Sequence, residues 1–154
     1  METTIAISLV DLGLKIINTL STIDRTNQDY KSLIEGSKIK IRSAIIKLKS
    51  CGFNPPRANV EKIGYWNYDA RQLNKNLQII AETLDEVSIL LKSVKPEIYD
   101  DLQAFIDKIL EIKAECVIYA NHTTSSIPAV PLEMVKDLNG LLDILCKIDE
   151  KLKN

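Results

Sequence analysis

The sequence is poor in the residues that carry most site chemistry. A single histidine, His122, excludes any two-histidine zinc site, and no Glu-x-x-His pair is present for a di-iron centre. The three cysteines, Cys51, Cys116 and Cys146, are odd in number and widely spaced, and no CxxC pair occurs; this argues against a disulfide framework. Five glycines and five prolines are too few for a loop-rich chain, and they form no phosphate-cradling loop. Neither sign of charge dominates. Lys and Arg number 20 against 21 Asp and Glu, a net of −1 that excludes a globally basic nucleic-acid binder. No metal, cofactor or nucleic acid is expected, nor an enzyme.

A long uncharged run is missing as well. Residues 3–23 come nearest, but they contain Asp11 and Lys15. Each charge near a bilayer centre costs roughly 2.5–3.5 kcal/mol, and Asp11 and Lys15 stand at i, i+4, as on a water-facing helix stripe. A packed helix is expected there rather than a membrane span. The opening Met1-Glu2-Thr3-Thr4 carries no basic region ahead of its apolar stretch, so a reduced, cytoplasmic setting is expected, with peripheral membrane contact as the variant.

What the chain does have is periodicity. Hydrophobic residues make up 45% of the 154, enough for one domain over residues 1–154. Apolar positions recur at alternating steps of three and four, which return side chains to one helix face. The first run is Ile5, Leu9, Leu12, Ile16, Ile23; the second is Tyr30, Ile34, Ile41, Ala44, Leu48, with Ser37 interrupting. The third runs unbroken from Ile63 through Trp66, Leu77 and Leu84 to Val94, the fourth from Ile98 to Tyr119, and the fifth from Met134 to Leu152. The spacing predicts an all-α chain: an antiparallel four-helix bundle with a fifth helix. The third helix would span about 35 residues, roughly 55 Å, with Gly64 or Asn74–Asn76 as the places to bend.

Punctuation falls between the runs. Thr26 or Asn27 can cap the second helix, Gly52 suits the position after it, and Pro96 and Pro131 open the fourth and fifth. Lys38-Ile39-Lys40-Ile41-Arg42 alternates as a strand would, but it lies inside a helical pattern and the helix is preferred.

Three features point to binding. The second helix is basic, with no acid between residues 36 and 50, and Lys31, Lys38, Arg42 and Lys49 fall within about 40° on a helical wheel. Such a stripe beside an apolar face suits anionic lipid headgroups, or it consists of lysines snorkelling around a buried face. Tyr65-Trp66-Asn67-Tyr68 concentrates aromatics, with Trp66 on the buried stripe and Tyr65 and Tyr68 on an adjacent face that suits a partner. Apolar residues also lie off the main stripes, Ile39 and Ile46 foremost, either buried on a second side or meeting a partner.

Ser8-Leu9-Val10-Asp11-Leu12-Gly13-Leu14-Lys15-Ile16-Ile17 resembles the opening helix of HeLo and HeLo-like domains, which are similar to the N-terminal bundle of mixed-lineage kinase-like necroptosis proteins. Asp29-Tyr30-Lys31-Ser32-Leu33-Ile34, with the basic run after it, is similar in character to the next helix. The resemblance covers about the first 50 residues. It implies a helical bundle that oligomerises and perturbs membranes through its first helix. The residues themselves favour a non-enzymatic interaction or self-association module, with Ile39, Ile46, Tyr65 and Tyr68 meeting a protein partner. The alternatives are a membrane-acting bundle that binds lipid through the four cations, and a small-ligand carrier or enzyme.

Overall fold

The computed structural model describes residues 5–49, 65–67, 70–122 and 129–153, with side chains over 9–49, 73–115 and 136–153. Within these the chain is all-helical apart from one short ladder. The helices are α1 (Ile5–Leu20), α2 (Gln28–Lys49), α3 (Ala70–Lys92), α4 (Pro96–His122) and α5 (Leu132–Lys153). Two three-residue strands, β1 (Tyr65–Asn67) and β2 (Ala129–Pro131), pair antiparallel with Trp66 opposite Val130.

The ladder corrects the expected third helix. Its stripe extends back to Ile63, but α3 is 23 residues long and starts at Ala70. Aromatic side chains favour strands when a partner backbone is available, and the α4–α5 connection supplies one. Pro131 is tolerated there because a two-stranded ladder consists only of edges. Tyr65 therefore sits in a strand, not on a helix face, while Gly52, Gly64 and Tyr68 lie outside the described residues. Asn74 and Asn76, expected as points of weakness, clamp α3 instead: Asn74 Nδ2 donates to the Lys113 carbonyl of α4 and Asn76 Nδ2 to the Lys47 carbonyl of α2, both at 3.2 Å.

The helix ends follow the local chemistry. Asn27 caps α2, its Oδ1 accepting from the backbone N–H of Asp29 at 2.9 Å and of Tyr30 at 3.4 Å, an arrangement that contributes about 1 kcal/mol. Pro96 occupies the first position of α4, where its missing N–H costs nothing. Arg25, between α1 and α2, donates through Nη2 to the Lys151 carbonyl at 2.7 Å and through Nη1 to that of Leu152 at 3.2 Å. A cation thus closes the negative end of α5 from a distant connection.

The stripes meet in one core. Ile34, Ile41, Ala44 and Leu48 of α2 are buried, as are all described stripe positions of α3 from Leu73 to Leu91 and those of α4 from Ile98 to Ile112. Leu138, Leu141, Leu145, Ile148 and Leu152 do the same for α5. Ser37 costs little inside this stripe, because its hydroxyl donates to the Leu33 carbonyl one turn back at 2.9 Å. Packing runs in a closed circuit: α1 on α5, α5 on α2, α2 on α3, α3 on α4, and α4 on α1. Successive in sequence, α1 and α2 are separated in space by α5. Wedging α5 between them also buries Leu142 and Ile144, which lie off its main stripe.

Candidate functional site

The four cations singled out on α2 all lie along its seam with α5. One end of the seam holds a hollow of about 210 Å³, where Arg25, Lys31, Lys38 and Lys153 are joined by the acidic Glu35. The other end holds one of about 370 Å³, where Arg42, Ile46, Lys49, Cys146 and Asp149 are among the lining residues. Helical spacing accounts for the gathering: positions 31, 38, 42 and 49 recur on one face, and that face borders α5.

The four differ in what they are free to do. Lys38 is turned into the fold, its side chain only 17% exposed and its ammonium 3.0 Å from the Glu35 carboxylate. Arg42 Nε stands 3.2 Å from Asp149 Oδ1, and Lys153 Nζ stands 3.9 Å from Oδ2. Asp149 is a buried carboxylate: Arg42 Nε donates to its Oδ2 at 3.5 Å, while Oδ1, which faces the same guanidinium, accepts no hydrogen bond. Among the described residues, none pairs with Lys31 or Lys49.

Asp149, Lys153 and Arg25 complete the seam and were not singled out in the sequence, where Asp149-Glu150-Lys151 reads as a solvated run. The sign that separates Asp149 from its neighbours is its place one heptad after Leu142, beside the buried Ile148. Cys146 lines the same hollow as a free thiol; burial pushes its pKa up, with the Lys49 charge opposing, so it is a poor nucleophile at neutral pH. Among the described residues no group of three His, Cys, Asp or Glu side chains could hold a metal ion.

Beside the seam, on the outer face of α2, stand Ile39 and Ile46 at 67% and 65% exposure. They share a side of the helix one heptad apart, next to Arg42 and Lys49. Of the other off-stripe apolar residues, Ile89 is 60% and Leu14 46% exposed, while Ile106 is buried. Tyr65 belongs to β1, away from this face in the fold order, and Tyr68 lies outside the described residues, so the structure does not join them to Ile39 and Ile46.

Two classes of cation should separate by stability. Arg42→Met, which leaves the buried Asp149 carboxylate with Lys153 at 3.9 Å as its one cation, is expected to cost about 1–3 kcal/mol. Lys31→Gln and Lys49→Gln are expected to stay within about 0.5 kcal/mol of the parent. Urea denaturation measures all three; equally small losses would mean that Asp149 is hydrated rather than held by Arg42.

No protein-family model, curated protein or solved structure matches this chain.

Proposed function

We propose that the chain is a non-enzymatic interaction module, self-associating or capping a partner helix through the face that α2 turns to solvent. The observation that carries this reading is the pair Ile39 and Ile46, two β-branched side chains left outside a core that buries Ile34, Ile41, Ala44, Ile45 and Leu48 of α2 and partly covers Tyr30 and Leu33. The architecture that presents them is an up-down bundle, four long helices alternating in direction with the fifth between α1 and α2. Paired contacts support it: Lys40 meets Glu86 and Asn76 meets Lys47, rising along α2 while falling along α3. An odd number of helices closing a circuit must leave one pair parallel. Gly13 against Ile144, and Arg25 just past α1 on the Leu152 carbonyl, support α1 and α5 as that pair.

Light scattering over a range of concentrations, with a screen for helical peptide binders, tests the reading. Mass that grows with concentration, or a bound helix, is expected, and Ile39→Ser/Ile46→Ser should abolish either. A monomer indifferent to both would overturn it.

The second reading, a HeLo-like bundle acting on membranes, has its own support: Lys31 and Lys49 are exposed and unpaired among the described residues, and Lys49 lines a hollow with the exposed Ile46, a combination that an anionic lipid surface attracts. No described helix is long and apolar enough to cross a membrane. Action by α1 would therefore require it to leave the bundle and draw out Leu9, Ile16 and Leu20, all fully buried. Salt-sensitive co-sedimentation with phosphatidylserine vesicles, lost in Lys31→Glu/Lys49→Glu, is its expected result; no binding at low salt would end it. For a ligand carrier or enzyme, the support is limited to the two hollows of the seam.

A further inference from the structure

We infer that copies of this chain join through unlike faces, the acidic outer stripe of α4 in one copy lying along the α2–α5 seam of the next. The inference rests on the self-association reading and names its interface. Charge in this molecule is nearly balanced overall but sorted by helix. In α2, six basic residues stand against two acidic ones; in α4, six acidic residues stand against two basic ones.

The acids of α4 are mostly free. Asp101 is turned inward to Lys15 at 3.1 Å, and Glu111 is bridged by Lys108 at 3.1 Å. Glu97, Asp100, Asp107 and Glu115 are exposed, and none of them pairs with another described residue. The stripe from Glu97 to Glu115 and the cations from Lys31 to Lys49 each span 18 positions, about 27 Å of helix. Two rows of opposite sign and equal length are thus available; Lys31 and Lys49 carry the free charge of the cationic one, Lys38 being engaged by Glu35, while Arg42 between them and Lys153 alongside are about half exposed.

The circuit of helices places these rows apart. α4 packs mainly on α1 and α3, across the bundle from the edge where α2 meets α5. One molecule therefore cannot satisfy its own stripe, but two molecules can. An anionic lipid surface would use only the cationic side and leave the acids of α4 without a role, and a net charge of −1 gives copies little cause to repel. Leu110, 37% exposed, and the exposed Ala114 border the acidic stripe and offer apolar cover to Ile39 and Ile46. Because the two faces differ, the contact is heterologous and repeats from copy to copy, giving rings or open filaments rather than a closed twofold dimer.

Light scattering on the full chain, compared between about 0.01 M and about 1 M salt, where the screening length falls from about 30 Å to about 3 Å, tests the inference. Mass should grow with concentration at low salt and return to the monomer at high salt. Lys31→Glu/Lys49→Glu and Asp107→Lys/Glu115→Lys should each remain monomeric at low salt while keeping their circular dichroism. Mixed in equal amounts, the two variants should assemble again, since one presents two acidic faces and the other two basic ones. Failure of the mixture to assemble overturns the docking. So does assembly that survives both charge variants but is lost in Ile39→Ser/Ile46→Ser, which leaves self-association standing through another contact. A monomer throughout overturns both readings, and binding of Lys31 and Lys49 to anionic vesicles without self-assembly assigns the seam to lipid.

Discussion

Phe105→Ala is expected to destabilise the protein by about 3–5 kcal/mol, the largest loss from any single truncation in the core. Phe105 is fully buried and heads the side chains that see no solvent. It sits at the middle of the α4 stripe, between Leu102 and Ile109, on the helix that joins α3 to α1. Removing the ring loses its burial and leaves a cavity that close-packed helices fill only in part. A domain of this size is stable by only about 5–15 kcal/mol, so the melting temperature should fall by roughly 6–20 °C. Phe105→Leu keeps most of the volume and should cost about 1.5 kcal/mol or less. Thermal unfolding followed by circular dichroism gives both values. Equal losses for alanine and leucine would mean that ring shape, not filled volume, sets the cost.

How much of this was legible in the sequence follows from what periodicity can encode. The steps of three and four identify which side of a helix is buried, and Leu73 through Leu91 are buried as that spacing requires. They do not say which helix supplies the cover. Nothing local in Leu142 or Ile144 distinguishes them from the exposed Ile39 and Ile46; the difference comes from α5 lying between α1 and α2, a fact of topology. Charge behaves the same way. Glu35 is three residues from Lys38 and that pair can be read along one helix, whereas Asp149 is 107 positions from Arg42 and becomes its partner only in the folded chain. The heptad register overreached at Trp66, where a partner strand contributed by residues 129–131 outweighed a spacing that fits a helix equally well.

Gly13→Ala is expected to destabilise by about 1–3 kcal/mol, although the same exchange in an exposed helix gains about 1 kcal/mol. At Gly13 α1 lies directly against the Ile144 side chain of α5. A Cβ there would overlap the Cγ2 methyl of Ile144 and stand 2.8 Å from its Cδ1. Ile144 is itself buried and branched at Cβ, so it has little freedom to turn aside. Ile144→Ala alone should cost about 2–5 kcal/mol through the cavity it leaves, and Gly13→Ala/Ile144→Ala should cost clearly less than the two single losses added together, because the new methyl enters that space. Additive losses in urea denaturation would mean that the two residues are not in contact. The same variant separates the functional readings. If α1 must leave the bundle to act on a membrane, loosening its seat on α5 should increase leakage from phosphatidylserine vesicles at a given protein concentration. If copies dock through α4 and the α2–α5 seam, Gly13→Ala should leave the low-salt assembly intact wherever the protein remains folded, since neither charged row includes α1.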